Sequence, residues 1–265
     1  MLKPKLFENF NTMYHSLLRI VWQTPDNIEK YTNIKESINR QTYKESYNIC
    51  AGFNVECDIK NMYNKVQVFE CVSIERAKKM QEYLDNERKM FDMMDIFNHH
   101  KISNFWSHIK NPDGTSNANY GYMTFGIKDA RAEWEKSSKH ISQFEYCFEI
   151  LKNRLNSKQG IIHFHRPKDQ WFGNKDVPCN LALHFYITTN ESNINKLCLS
   201  AYLRSNDLIY GTPYNIFYFL HIYEQMYRKL LKIYPNLKYG IYYHHVSSMR
   251  IYVHHQNILN SIIRI

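Results

Sequence analysis

Reactive side chains concentrate in two short stretches of this chain. In Asp176-Val-Pro-Cys-Asn180 a thiol, Cys179, directly follows a proline where a strand should begin. About 25 residues later Arg204 is followed by Ser205, Asn206 and Asp207, and then Gly211-Thr-Pro-Tyr-Asn215 brings in an asparagine. A fixed cation near a thiol favours the thiolate, which is the nucleophilic form. A carboxamide carries both a donor and an acceptor. Thiolate, guanidinium and carboxamide in one pocket suit an anionic ligand that also bears an amide. A pyrimidine nucleotide is such a ligand.

The intervening sequence says how these groups would meet. Residues 181–187 and 197–202 are apolar and aromatic, with a polar stretch over 188–195, and this pattern predicts a hairpin. In an antiparallel pair the first residue of one strand lies beside the last residue of the next. Cys179 and Arg204 would then share one end. Pro213 suits the first turn of a helix, and apolar residues recur at helical spacing over 214–234 before Pro235. The first turn of that helix would carry Asn215 and free backbone donors to the same corner.

The other elements are read in the same way. A helix is expected over 9–22, ending at Thr24-Pro25, and a polar loop over 31–45. Strands are expected over 47–57 and 65–72, then a helix from Ser73 to about residue 97 with apolar and charged residues on opposite faces. Asn111-Pro-Asp-Gly114 marks a turn, 142–155 an amphipathic helix, 161–164 a short strand, and 241–245 with 249–254 a final strand pair.

Composition narrows the class. The 265 residues, 44% hydrophobic, can build an ordinary globular core in one large domain or two small ones. No run of about 18 apolar residues occurs, and Met1-Leu-Lys-Pro-Lys5 is not followed by a signal-peptide core, so cytoplasmic residence is the expectation. The formal charge of +9 comes from scattered Lys and Arg with no block of five or six, which fits attraction of an anionic small molecule better than a nucleic-acid footprint. Six cysteines show no metal-finger spacing, and the five besides Cys179 read as small buried residues. His163 and His165 form an HxH pair with no local carboxylate, too little for a metal site.

Longer motifs match a known family. Pro178-Cys179 and Arg204-Ser-Asn-Asp-Leu-Ile-Tyr-Gly-Thr-Pro-Tyr-Asn215 closely resemble the signature of thymidylate synthases. Asn117-Ala-Asn-Tyr-Gly121, Asn156-Ser-Lys-Gln-Gly160 and Arg166-Pro167 are more similar to the viral deoxypyrimidine hydroxymethylases of that superfamily. The resemblance runs from about Arg40 to Tyr252 and implies a mixed α/β (α+β) fold, a bent mixed sheet flanked by helices, as a single domain over 1–265. It also implies a homodimer paired through sheet faces.

The same resemblance implies roles. Cys179 would add to carbon 6 of the pyrimidine, making carbon 5 nucleophilic toward the methylene of methylene-tetrahydrofolate. Glu87, otherwise a solvated helix-face residue, would manage protons at the ring. Arg204 and Ser205 would hold the phosphate, with Arg40 and Lys158 as auxiliary donors. Asn215 would read the base edge, and Arg250 and Tyr252 would lie at the sugar. Trp106 and Asp207 would lie near the folate. Asparagine at 215, where cytosine-directed hydroxymethylases carry aspartate, favours dUMP over dCMP.

Five departures stand out. Lys158-Gln159 replaces a pair of arginines that cross to the partner's phosphate, Arg250 replaces a histidine at the sugar, and Asn180 replaces the histidine after the nucleophile. The glycines usual after Arg40 are absent. Only 13 residues follow Tyr252, fewer than in synthases, whose tail closes over the folate. A site that admits water would add a hydroxymethyl rather than a methyl group. A thymidylate synthase, or a degenerate member acting as a binding or scaffold protein, is the alternative.

Overall fold

The computed structural model describes residues 4–24, 26–29, 41–63, 111–112, 117–118, 120–126, 141–167 and 170–263. Its frame is an eight-stranded mixed sheet in the order β1-β3-β8-β6-β5-β4, with β2 on β3 and β7 on β8. These strands are β1 (Lys5–Phe7), β2 (Asp26–Glu29), β3 (Gln41–Asn54), β4 (Gly160–His163), β5 (Asn180–Thr189), β6 (Asn195–Leu203), β7 (Asn206–Asp207) and β8 (Lys238–Tyr252). The sheet is mixed: β1 runs parallel to β3, and β6 and β7 run parallel to β8, while the other pairs are antiparallel. The expected fold class is what is observed.

A 21-residue helix, α5 (Gly211–Leu231), makes the crossover from β7 back to the parallel strand β8. A parallel return needs such a long connection. Its sequence is apolar and aromatic on almost every side over Ile216 to Tyr223, and all of those residues are buried. A helix apolar all round belongs in the interior. Tyrosines pin it to the sheet: Tyr223 donates to the Leu197 carbonyl at 2.6 Å and Tyr227 to the Leu237 carbonyl at 3.1 Å. Buried Tyr hydroxyls normally need such partners.

The remaining described helices are α1 (Phe10–Trp22), α2 (Val55–Tyr63), α3 (Tyr120–Phe125), α4 (Gln143–Asn153) and α6 (Gln256–Ile263). Helix α1 starts where expected, with Asn9 and Thr12 capping each other's backbone donors. It buries Phe10, Met13, Tyr14, Leu17, Leu18 and Val21, and Tyr14 donates to the Leu208 carbonyl at 2.8 Å, fixing the turn after β7. Asp58 of α2 caps α1 from outside by accepting from the Phe10 amide at 3.1 Å. Burial holds its carboxyl up at about 6.

The hairpin and helices α1, α4 and α5 lie where the sequence pattern puts them. Several expectations need correction. Residues 241–254 are not a strand pair. Residues 241–252 belong to one 15-residue strand, β8, and 253–254 to the 3-10 turn Val253–His255 that follows it. Ser247-Ser248 does not turn the chain because β3 pairs along the whole length, Ser248 opposite Tyr47; the alternation of buried residues merely changes phase between Val246 and Met249. The loop expected up to residue 45 gives way to strand at Gln41, and the strand expected to 57 becomes helix at Val55, where the Asn54 side chain accepts from the Glu56 amide. Helix α5 ends at Leu231, ahead of Pro235.

Cysteine burial was also overstated. Cys147 and Cys198 are buried, but Cys57 is exposed, because α2 turns Val55, Asp58 and Ile59 inward instead. Cys71 and the elements expected over 65–72 and 73–97 lie outside the described residues. Among the described residues, no helix is long and apolar enough to cross a membrane.

Candidate active site

The hairpin closes as its pattern requires: the Arg204 amide donates to the Cys179 carbonyl at 2.9 Å, one rung beyond the Asn180–Leu203 pair. Cys179 is partly exposed and not disulfide-bonded. Its sulfur receives a hydrogen bond from Ser205 Oγ at 3.5 Å, and Arg204 Nη1 donates to that same hydroxyl at 3.4 Å. Arginine thus reaches the thiol through a hydroxyl rather than directly.

The rest of the guanidinium holds the backbone. Arg204 Nε donates to the Pro178 carbonyl and Nη2 to the Val177 carbonyl, both at 3.0 Å. One planar fork therefore ties the strand start to the strand end, a geometry that only arginine supplies. The approach to Cys179 is braced from the other side as well. Asp176 is buried and accepts from the Ala118 amide at 2.8 Å, and Asn117 donates to Asn174 at 2.9 Å. Arg166 Nη2 lies 3.5 Å from the Asn117 carbonyl. Asn117 and Ala118 thus buttress the nucleophile loop.

Asn180 sits on the covered face of the sheet opposite Leu203. Its backbone N–H donates to the Tyr120 hydroxyl at 3.1 Å, but neither Oδ1 nor Nδ2 of its fully buried carboxamide has a protein partner. Burying a polar group that way costs on the order of 1–3 kcal/mol. An orphaned amide beside a nucleophile is a place to hold water or a polar ligand atom.

Asp207 accepts from the Ile209 amide at 2.8 Å and the Tyr210 amide at 3.4 Å, shaping the turn that launches α5. Asn215, in the first turns of α5, is half-buried and donates from Nδ2 to Asn206 Oδ1 at 3.3 Å. Ser205 is thus bonded to Cys179, and its chain neighbour Asn206 to Asn215.

Arg250 joins this corner through the backbone, opposite Asp207, with its carbonyl accepting from the Leu208 amide at 2.8 Å. Its Nε donates to Glu45 at 2.9 Å and its guanidinium lies 4.7 Å above the Tyr43 ring. Glu45 also accepts from Tyr47 at 2.6 Å and from Ser248. Burial raises the Glu45 carboxyl, but those hydroxyl donors and Arg250 outweigh it and hold it below the usual range. Tyr252 packs edge-on to Tyr43, with ring centroids 6.0 Å apart.

Lys158 is not brought to the site within one chain. It is exposed, 5.5 Å above the Tyr186 ring on the opposite face of the sheet. Gly160 pairs with Phe185, so by the ~3.4 Å rise per residue Lys158 lies more than about 20 Å along β5 from Cys179. Arg40, Glu87 and Trp106 lie outside the described residues.

Sequence reasoning missed the partners behind Asn215. Asn206 Nδ2 lies 3.1 Å from His244 Nε2, and His244 Nδ1 lies 2.7 Å from the Tyr242 hydroxyl. Burial pushes His244 down to about 3, so it is a neutral ring. The one available signal was a histidine flanked at two-residue spacing by Tyr242 and Val246, the positions of a buried strand face.

Comparison with known proteins follows the same lines. A family model described as thymidylate synthase matches residues 12–264. The chain is 27% identical over 155 residues to a thymidylate synthase of Bacillus licheniformis, covering 58% of this chain and 50% of the relative. It is 27% identical over 150 residues to the thymidylate synthase of Bacillus phage phi3T, covering 57% of this chain and 48% of the relative. The matches thus span about half the length of these relatives. The thermostable thymidylate synthase A from Bacillus subtilis has a similar fold, with a TM-score of 0.62 at 16% identity, over 97% of this chain and 84% of that one.

Proposed function

This chain belongs to the thymidylate synthase family, and on that footing we propose that it transfers a one-carbon unit to carbon 5 of a pyrimidine deoxynucleotide. We take dUMP as the substrate, with a hydroxymethyl group as the product. The observation that carries the reading is the run of contacts from Arg204 through Ser205 to the Cys179 sulfur, with the next residue, Asn206, bonded to Asn215.

Each residue has a task in that reading. Cys179 forms a bond to carbon 6 and so makes carbon 5 nucleophilic. Ser205 and Arg204 orient the sulfur and meet the phosphate. Asn215 pairs with the N–H and carbonyl of uracil. Glu87 handles protons at the ring, Arg250 and Tyr252 flank the sugar, and Arg40 adds a phosphate donor. Methylene-tetrahydrofolate, when bound, supplies the one-carbon unit. Asp207, two residues from Ser205, and Trp106 would lie beside that cofactor.

Support for the hydroxymethyl product is the hydroxymethylase-like motifs at 117–121, 156–160 and 166–167, together with Asn180. An unpartnered carboxamide next to the nucleophile favours retained water. Thymidylate synthesis is the second reading, favoured by the similarity to thymidylate synthases. A homodimer is part of the proposal: Lys158, over Tyr186 and far along β5 from Cys179, would serve the phosphate of another copy rather than its own. In all of this the chain acts as one domain.

The test is direct. Incubation with dUMP or dCMP and methylene-tetrahydrofolate should release tritium from carbon 5 of dUMP and give a product heavier by a hydroxymethyl group. A methyl product would establish the second reading. If wild type and Cys179→Ala alike release no tritium from any pyrimidine nucleotide, the chain is a non-catalytic binding or scaffold member.

A further inference from the structure

Behind Asn215 lies a line of buried polar groups that no catalytic task uses. Asn215 is half-buried, but Asn206 is only 4% exposed and His244 and Tyr242 are fully buried. The contacts run Asn215 Nδ2 to Asn206 Oδ1 at 3.3 Å, Asn206 Nδ2 to His244 Nε2 at 3.1 Å, and His244 Nδ1 to Tyr242 Oη at 2.7 Å. We propose that this line is a directional relay that fixes which end of the Asn215 carboxamide faces the ligand, making Asn206 and His244 positioning residues for base selection. The proposal rests on the nucleotide reading above and deepens it.

The direction comes from the ring. A neutral imidazole has one N–H and one lone pair, so it cannot accept on both sides or donate on both sides. In this arrangement Nε2 accepts from Asn206, so Nδ1 carries the proton toward Tyr242. Neither His244 nor Tyr242 changes charge at working pH, because burial pushes the imidazole down to about 3 and raises the phenol well above its usual range. Asn206 is then held with nitrogen toward His244 and oxygen toward Asn215. Turning Asn215 over would set its oxygen against Asn206 Oδ1, acceptor against acceptor.

The neighbourhood is built around this amide. A Cβ at Gly211 would lie 2.5 Å from Asn206 Oδ1, so only glycine lets α5 begin this close. The consequence concerns the base. Uracil presents an N–H at position 3 and an acceptor at position 4, whereas cytosine presents an acceptor and an amine. With the ring held by Cys179 and the phosphate, one amide orientation complements one of these bases and opposes the other. Discrimination thus depends on residues that touch no ligand.

The experiment measures dissociation constants for dUMP and dCMP without folate, in wild type, Asn206→Leu and His244→Phe, with a thermal melt on each. Wild type is expected to discriminate by about tenfold or more, the scale of one mispaired hydrogen bond. Both variants should bind the two nucleotides within about threefold of each other, with the loss confined to the preferred base. A merely structural role would weaken both nucleotides alike, and an unchanged ratio in a folded variant overturns the proposal. Imidazole nitrogen shifts in wild type provide a readout that needs no variant: a single tautomer of His244 is expected, and a mixture of the two overturns it. Wild type that binds neither nucleotide would sink the nucleotide reading itself. Wild type that binds both equally sinks only the relay.

Discussion

The two ends of the β5–β6 hairpin use similar residues to opposite effect. At the turn, Thr189 donates to Asn195 at 2.7 Å, Asn190 Oδ1 accepts from the Ile194 amide at 2.8 Å, and the Asn193 amide donates to the Asn190 carbonyl at 3.0 Å. Asn193 takes a φ of +57°, which asparagine tolerates. The polar groups named there serve one another and make a turn. At the other end Cys179 is partly exposed, Asn180 has a side-chain amide with no protein partner, and Asn215 is half-buried with one bond, to Asn206. A closed polar network shapes the chain, whereas one left incomplete beside a nucleophile is built to receive something else.

Substitution at the two ends should separate these roles. The largest effect belongs to Cys179→Ser, expected to lower turnover by at least about 10⁴-fold while nucleotide binding, read by calorimetry, changes little. Retained turnover would remove the sulfur from the mechanism. Arg204→Lys follows, with nucleotide affinity falling about 10–100-fold. A lysine cannot hold the Val177 and Pro178 carbonyls and the Ser205 hydroxyl together. An unchanged affinity would place the phosphate elsewhere.

Asn180→Leu and Asp58→Asn ask whether an ill-satisfied buried group by itself marks function. Removing the orphaned amide should stabilise the fold by about 1–2 kcal/mol in denaturant titration, with a drop in turnover. Asp58 is the control remote from the corner. Its carboxyl stays protonated up to about 6 when folded but ionises near 3.8 when unfolded. Stability should therefore fall as pH rises from about 4 to about 6 and level off above. Asp58→Asn should abolish that slope and add about 1–3 kcal/mol at pH 7, with turnover intact. A turnover loss in that variant would erase the contrast between structural and functional strain. The smallest effect is at the turn: Thr189→Ala should cost about 0.5 kcal/mol and leave turnover alone.

Much of the corner was legible beforehand. Period-two apolar runs flanking a polar stretch sufficed to bring Cys179 and Arg204 together, and Pro213 to place Asn215 in the first turns of a helix, because hairpins and helix starts are governed by neighbours in sequence. The strand β8 was misread because two serines look like a turn, when pairing with β3 on one side and β6 and β7 on the other carries the strand through them. The place of Lys158 over Tyr186, far along β5 from Cys179, was not visible in the sequence either, because it depends on how β4 pairs with β5. The partners of Arg250 were not visible, since Glu45 is 205 positions away.

Sequence alone determined the reactive set and the local elements that carry it. Thiol, guanidinium and carboxamide sit at strand and helix ends whose positions depend on nearby residues. The tertiary structure decided what stands behind each of them. That Arg204 reaches the thiol through Ser205, that the Asn180 carboxamide has no protein partner, and that Asn215 leans on Asn206, which leans on His244, all depend on sheet register and on the docking of α5. Hydrogen bonds act over about 3 Å, so they are settled only when remote strands have come into contact.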